Sequence, residues 1–324
     1  LTDTWFTMHG SRGIAATQRG TRPGDPLADL LFCLLLSGIL GKIEVKSREH
    51  QGPTKLTWDG SKSAAVSLDV THIEEIFDVS LADDVVILIN GGSPQDLLTK
   101  AKAMLGIVVD TFIEHGLKIS FEPQKSEALI ELHGSGTQAA FEQLMIHDQG
   151  KISFNTRHLG QLEVLVTSEY KHLGTWSEKN GRMIKALTVN LASAKSSLRP
   201  LKHRVLGHER FKIATRSELT QSLILSKASF NCQIWPKLRK GEANKWNSGI
   251  MDIYRSVAGM QTTKQQNNHF KDEEVIARMA AVGPGEILVM ARLRYYRRLL
   301  LNGPAPLWAL LKMEMAWPNA WLHL

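Results

Sequence analysis

The sequence predicts an α+β protein, mixed up to about residue 176 and all-helical after it. Three observations predict this. Short runs of β-branched and aliphatic residues recur up to residue 176, at 76–90 and in GQLEVLVTSEYKHLGTW (160–176). Strong helix start and stop signals interrupt those runs. From Ser177 onward the apolar residues recur at helical spacing.

The elements follow in order. Residues 1–24 are punctuated by Gly10, Gly13, Gly20 and Gly24 and read as irregular. A helix starts at Pro26 with Asp25 as its N-cap and is expected to stop at Gly41. It is apolar nearly all round, which predicts burial. Residues 47–63 are polar and turn-rich and read as an exposed insertion. Strands are expected at 64–70 and 76–90, the second folding into a hairpin at Asp83-Asp84. A helix runs from Pro94 to His115, with Ser93 as its cap and Gly116 as its stop. KISFEP and SEALIEL read as strands about a bend, 133–136 as a turn and 138–148 as a short helix. Further helices are expected at roughly 178–199, 208–233, 241–258, 272–281, 285–301 and 306–315.

Composition bounds the class. A chain of 324 residues suggests roughly two domains. Hydrophobic content of 43% and charged content of 22% suit a globular protein with a real core. No apolar run is long enough to span a membrane, and no basic-then-apolar leader is visible. Cys33 and Cys232 are too few for a disulfide framework, and a reducing compartment is the expectation. Charge is unevenly spread. Residues 1–150 carry 12 Lys+Arg against 20 Asp+Glu, and residues 151–324 carry 27 against 12. The split suggests an acidic half that holds cations and a basic half that meets a polyanion.

Two adjacent carboxylates, Asp83 and Asp84, interrupt a run that otherwise suits an interior strand. Such a pair is costly unless a turn exposes it or a cation neutralises it. Three more stretches accompany it in a fixed order: RGTRPGDPLADLLF (19–32) before it, GLKISFEPQKSEAL (116–129) and YKHLGTW (170–176) after it. Together the four resemble motifs B, C, D and E of the palm of reverse transcriptases of the non-LTR retrotransposon type. The resemblance implies a polymerase palm, an antiparallel sheet with helices on one face, truncated at its N-terminus, over residues 1–176. A helical thumb would follow over 177–260, and 261–324 would be a helical extension of unknown role.

The activity so implied is RNA-directed DNA synthesis, by two-metal nucleotidyl transfer to a primer 3′-hydroxyl. Its partners would be an RNA template, a DNA primer and deoxynucleoside triphosphates, with no membrane. Two Mg²⁺ are expected in the complete enzyme, and Mn²⁺ could replace them. Mg²⁺ takes hard oxygen ligands, usually one or two carboxylates plus phosphates. By resemblance Asp83 is the principal ligand and Asp84 the secondary one. Lys125 matches the lysine that protonates the departing pyrophosphate. Arg22, Pro23, Gly24 and Asp25 match the loop that contacts template or nucleotide, and Lys171, His172, Leu173 and Gly174 the hairpin that grips the primer end.

The chain departs from the family at two places. Family members carry Gln where Pro23 stands. Their other essential Asp, in motif A, has no counterpart upstream of Arg19, where Asp3 is the only acid. The expectation is therefore a chain that does not polymerise alone. A degenerate or domesticated remnant that binds nucleic acid without catalysis is the alternative. Basic helical stretches such as SAKSSLRPLKHRVLGHERFK (193–212) and ARLRYYRRLL (291–300) can pack on one face and meet phosphate on the other. Nuclear action would suit a retroelement, but no Lys/Arg cluster is dense enough to argue an import signal.

Overall fold

The computed structural model describes residues 4–7, 14–17, 26–63, 71–208, 210–260 and 270–315. The α+β expectation holds: helices and short strands mix through residue 178, and only helices follow. The strands form five small sheets among the described residues rather than one continuous sheet. Two compact units interleave along the chain. The first comprises Leu1–Thr54, Ile76–Phe121 and Leu132–Val164, and the second Lys55–Glu75, Glu122–Glu131 and Leu165–Leu324. No described helix is long and apolar enough to cross a membrane.

In the first unit, residues expected to be irregular contain an antiparallel pair, β1 (Thr4–Thr7) with β2 (Ile14–Thr17). The first helix, α1, runs Pro26–Ser47, so Gly41 does not stop it. A glycine inside a helix costs only about 1 kcal/mol. Ile43, two residues further on, is fully buried, and this burial offsets that cost. Nor is α1 buried all round. Leu36, Ile39, Leu40 and Ile43 enter the core, while Leu27, Leu30, Leu31 and Leu34 are exposed. The core side meets Phe77, Met104, Val85 and Ile87.

The segment 47–63, expected to be an exposed insertion, instead holds β3 (Thr54–Trp58), which pairs with β4 (His72–Ile76). Leu56 and Trp58 are buried. The strand expected at 64–70 lies outside the described residues. Two strands follow, β5 (Asp78–Leu81) and β6 (Asp84–Ile87). Helix α2 spans Pro94–Glu114 as its signals predict, and the Ser93 side chain accepts the Asp96 N–H. Beyond it, β7 is only Ala128–Leu129, so the strand expected from KISFEP does not form. After α3 (Thr137–Glu142) comes β8 (Lys151–Thr156), which lies against α2. A side chain at Gly106 of α2 would sit 2.7 Å from the Asn155 carbonyl, so glycine permits that approach. The Asp110 carboxylate then accepts the Arg157 N–H at 2.9 Å. β8 pairs with β9 (Gly160–Thr167), and the last residues of β9 run parallel to β7.

The second unit adds the hairpin β10 (Glu169–His172) and β11 (Thr175–Glu178). Its helices are α4 (Ile184–Leu201), α5 (Ile213–Thr220) continuing through a π turn into α6 (Ser226–Ala228), α7 (Lys240–Ala258), α8 (Asp272–Met279), α9 (Pro284–Asn302) and α10 (Ala305–Glu314). Their core gathers Leu187 and Ala194 of α4, Ile224, Trp235, and Trp246, Ile250 and Val257 of α7. The buried Glu242 carboxylate accepts the N–H groups of Met183 and Arg239, both at 2.8 Å, and so ties the start of α4 to the start of α7. Lys312 of α10 is buried and donates to Asp59 and Ser61.

Candidate functional site

The hairpin expected at Asp83-Asp84 forms, but its turn falls one residue earlier, so Asp83 is in the turn and Asp84 opens the second strand. β5 and β6 pair antiparallel in the register Ser80↔Val85 and Leu81↔Asp84, leaving Ala82 and Asp83 as a two-residue turn. Asp83 is exposed and Asp84 half-buried. Val85 and Ile87 pack on the α1–α2 core, so the hairpin is held from below by two helices of its own unit. Ala82 has φ +55°, a left-handed conformation that costs an L-residue roughly 1–2 kcal/mol. The strain lies directly beside Asp83.

A third acid on this hairpin, Asp78, lies at the far end. It pairs with Ile87, about 10 Å along the strand from the turn. Burial pushes its carboxyl above the usual value, the Ser80 hydrogen bond opposes this, and nearby Glu44 adds to the rise. A raised folded-state pKa favours the protonated form. The stability it contributes is present at low pH and is lost as pH rises through the folded value. Asp78→Asn removes the charge at similar size. It is expected to raise the melting temperature at pH 7 and to leave it nearly unchanged at pH 3. Thermal melts at both pH values check this; a lower melting temperature at pH 7 would show that the charge is needed.

Lys125 stands in a turn of the second unit. Its N–H donates to the Glu122 carbonyl at 3.0 Å, and its carbonyl accepts the Tyr170 hydroxyl at 2.8 Å. Tyr170 belongs to β10, so the lysine loop and the β10–β11 hairpin are bonded together. In that hairpin Lys171 faces Trp176 and His172 faces Thr175. Leu173 and Gly174 form the turn with φ +48° and +78°, the primed type whose twist suits two-residue hairpins. Gly174 also lies against the Phe230 ring. The Tyr170 and His172 rings stack at 6.5 Å. Lys185 of α4 anchors the hairpin, with its ammonium 4.7 Å from the Trp176 ring centre and 2.6 Å from Glu169.

Asp83 and Asp84 thus belong to the first unit, and Lys125, Lys171, His172, Leu173 and Gly174 to the second. Arg22, Pro23, Gly24 and Asp25 lie outside the described residues. Among the described residues no group of three or more His, Cys, Asp or Glu side chains is arranged to hold a metal ion. The Asp83–Asp84 pair supplies hard oxygen donors of the kind Mg²⁺ takes. The Tyr170–Lys125 bond joins residues 45 apart, and no local pattern announced it.

The second unit also carries exposed cations. Lys195 is paired with Asp252 at 2.9 Å, whereas Arg199 and Arg204 are exposed and have no carboxylate partner among the described residues. No protein-family model, no curated protein and no solved structure matches this chain.

Proposed function

We propose that the chain is the motif B to E part of a palm, with a helical thumb, from an RNA-directed DNA polymerase of the non-LTR retroelement type. The observation that carries this reading is the tight hairpin that presents Asp83 at its turn and Asp84 beside it, seated on α1 and α2. The Lys125–Tyr170 bond supports it further, since it couples the two stretches that match motifs D and E. In this reading Asp83 and Asp84 hold Mg²⁺, which would supply charge neutralisation at the reacting phosphate. Lys125 stands for the proton donor to pyrophosphate. Lys171, His172, Leu173 and Gly174 hold the primer end, and Arg199 and Arg204 meet the backbone of the template–primer duplex. Backbone contacts of that kind carry no sequence information.

A second reading, nucleic-acid binding without catalysis, is favoured by one observation. No third described ligand joins Asp83 and Asp84. Primer extension on poly(rA)/oligo(dT) with Mg²⁺ or Mn²⁺ separates the two. In the polymerase reading, extension is expected from a longer protein that supplies a motif A strand. There Asp83→Asn reduces it at least about 100-fold and leaves duplex affinity unchanged, because the lost ligand acts on transition-state charge. Extension that survives Asp83→Asn overturns the assignment of Asp83 as a metal ligand. Salt-sensitive duplex binding with no extension from either protein selects the second.

A further inference from the structure

We propose that the groove between α5–α6 and α9 binds a small organic molecule that carries a phosphate or carboxylate on an apolar body. The groove encloses about 740 Å³. Small-molecule sites span roughly 300–1,000 Å³. One wall is the continuous helical run that presents Glu218, Ser222 and Ser226, and the other is α9, which presents Met290, Arg294 and Arg298. Cys232 and Tyr254 also line it. Both are buried, each only 1% exposed, and burial pushes the Cys232 thiol up to about 11 and the Tyr254 hydroxyl up to about 12.

The charge arrangement says what kind of ligand fits. Arg292 is committed elsewhere: its guanidinium donates to the carbonyls of Trp235 at 3.0 Å and Pro236 at 2.8 Å. That fixes the rotation of α9. Arg294 lies about 200° further round the helix, and Arg298 follows one turn later on the same side. Both are exposed, both line the groove, and neither has an ion-pair partner among the described residues. Glu218 is the single acid among the lining residues, so the lining keeps a positive balance. The hydroxyls of Ser222 and Ser226 donate to the carbonyls of Glu218 and Ser222, at 3.0 and 2.6 Å. With those protons committed they offer a ligand acceptors only. Arg294 and Arg298 are the only cationic side chains in the lining, and their guanidiniums suit phosphate or carboxylate oxygens in paired geometry. Leu225, Ile287 and Ala291 supply apolar contact for the rest of the molecule.

Titration calorimetry on the whole chain tests this with octyl phosphate, 1-octanol and inorganic phosphate as probes. Octyl phosphate is expected to bind at least tenfold more tightly than either of the others. The Arg294→Gln/Arg298→Gln double variant is expected to weaken it at least tenfold. Met290→Trp, which fills the groove from a largely exposed position, is expected to abolish it. Circular-dichroism melts confirm that the variants fold. Inorganic phosphate binding as tightly as octyl phosphate would overturn the proposal, as would no octyl phosphate binding at millimolar concentration. Unchanged affinity in the double variant would do the same. None of these outcomes depends on polymerase activity.

Discussion

Trp246→Ala is expected to cost about 3–5 kcal/mol, the range for removing a large aromatic from a packed core. Trp246 is 1% exposed. Its indole N–H donates to the Pro284 carbonyl at 2.8 Å, and its ring stands at 90° to Trp235 with centres 5.7 Å apart. One side chain therefore joins α7, the first turn of α9 and the segment before α7. Deleting it opens a cavity and removes the indole donor from the Pro284 carbonyl. Trp246→Phe keeps most of the volume and loses only the donor, so it is expected to cost less, about 1–3 kcal/mol. Urea unfolding followed by far-ultraviolet circular dichroism measures both. A loss under about 1 kcal/mol for Trp246→Ala would show that the helices hold together without this contact.

Lys312→Met is expected to destabilise by a similar amount, about 3–5 kcal/mol, for a different reason. The side chains of Lys312 and Asp59 are 4% and 3% exposed. Lys312 Nζ lies 2.6 and 2.5 Å from the two Asp59 oxygens and 2.6 Å from Ser61 Oγ. Methionine fills the same space but takes the lysine ammonium from a buried carboxylate, which keeps its Ser61 hydrogen bonds. Removing both charges, with Asp59→Leu added, is expected to restore most of the loss, since a buried pair often does no better than apolar groups of its size. With Lys312 gone, the buried Asp59 charge can be removed only by binding a proton, so the deficit of the single variant shrinks as pH falls. Unfolding of the three proteins at pH 7 and pH 5 decides this. A double variant no better than the single one would show that the pair is worth more than its burial costs.

What the sequence revealed, it revealed locally. Ser93, Pro94 and Gly116 bracket α2 because caps and stops act within one turn. The break at Asp83-Asp84 marks a hairpin to within one residue of its turn, whereas the Leu173–Gly174 hairpin was implied only by the family resemblance. β8 went unread although Ile152, Phe154 and Thr156 alternate inward, a period-two signal that was present. What failed was non-local. Apolar composition shows that the leucines of α1 could be buried, not whether a neighbour covers them. The polar look of 47–63 hid Leu56 and Trp58. The partner that draws Asp59 inside is a lysine in another part of the chain. At the candidate site the carboxylate tip was legible and the Tyr170–Lys125 tie was not, because its spacing has no local rule.

The Asp59–Lys312 pair joins residues 253 apart. A ribosome releases the chain at about 5–20 residues per second, so Asp59 waits roughly 10–50 s for its cation. The first unit has all its segments by residue 164 and can settle long before. The second, with members at 55–75 and 122–131, is not complete until α10 has been synthesised. High sequence separation of this kind slows folding. A chain stalled before Lys312 would hold all segments of the first unit, while Asp59 would lack its lysine and the second unit would lack α10.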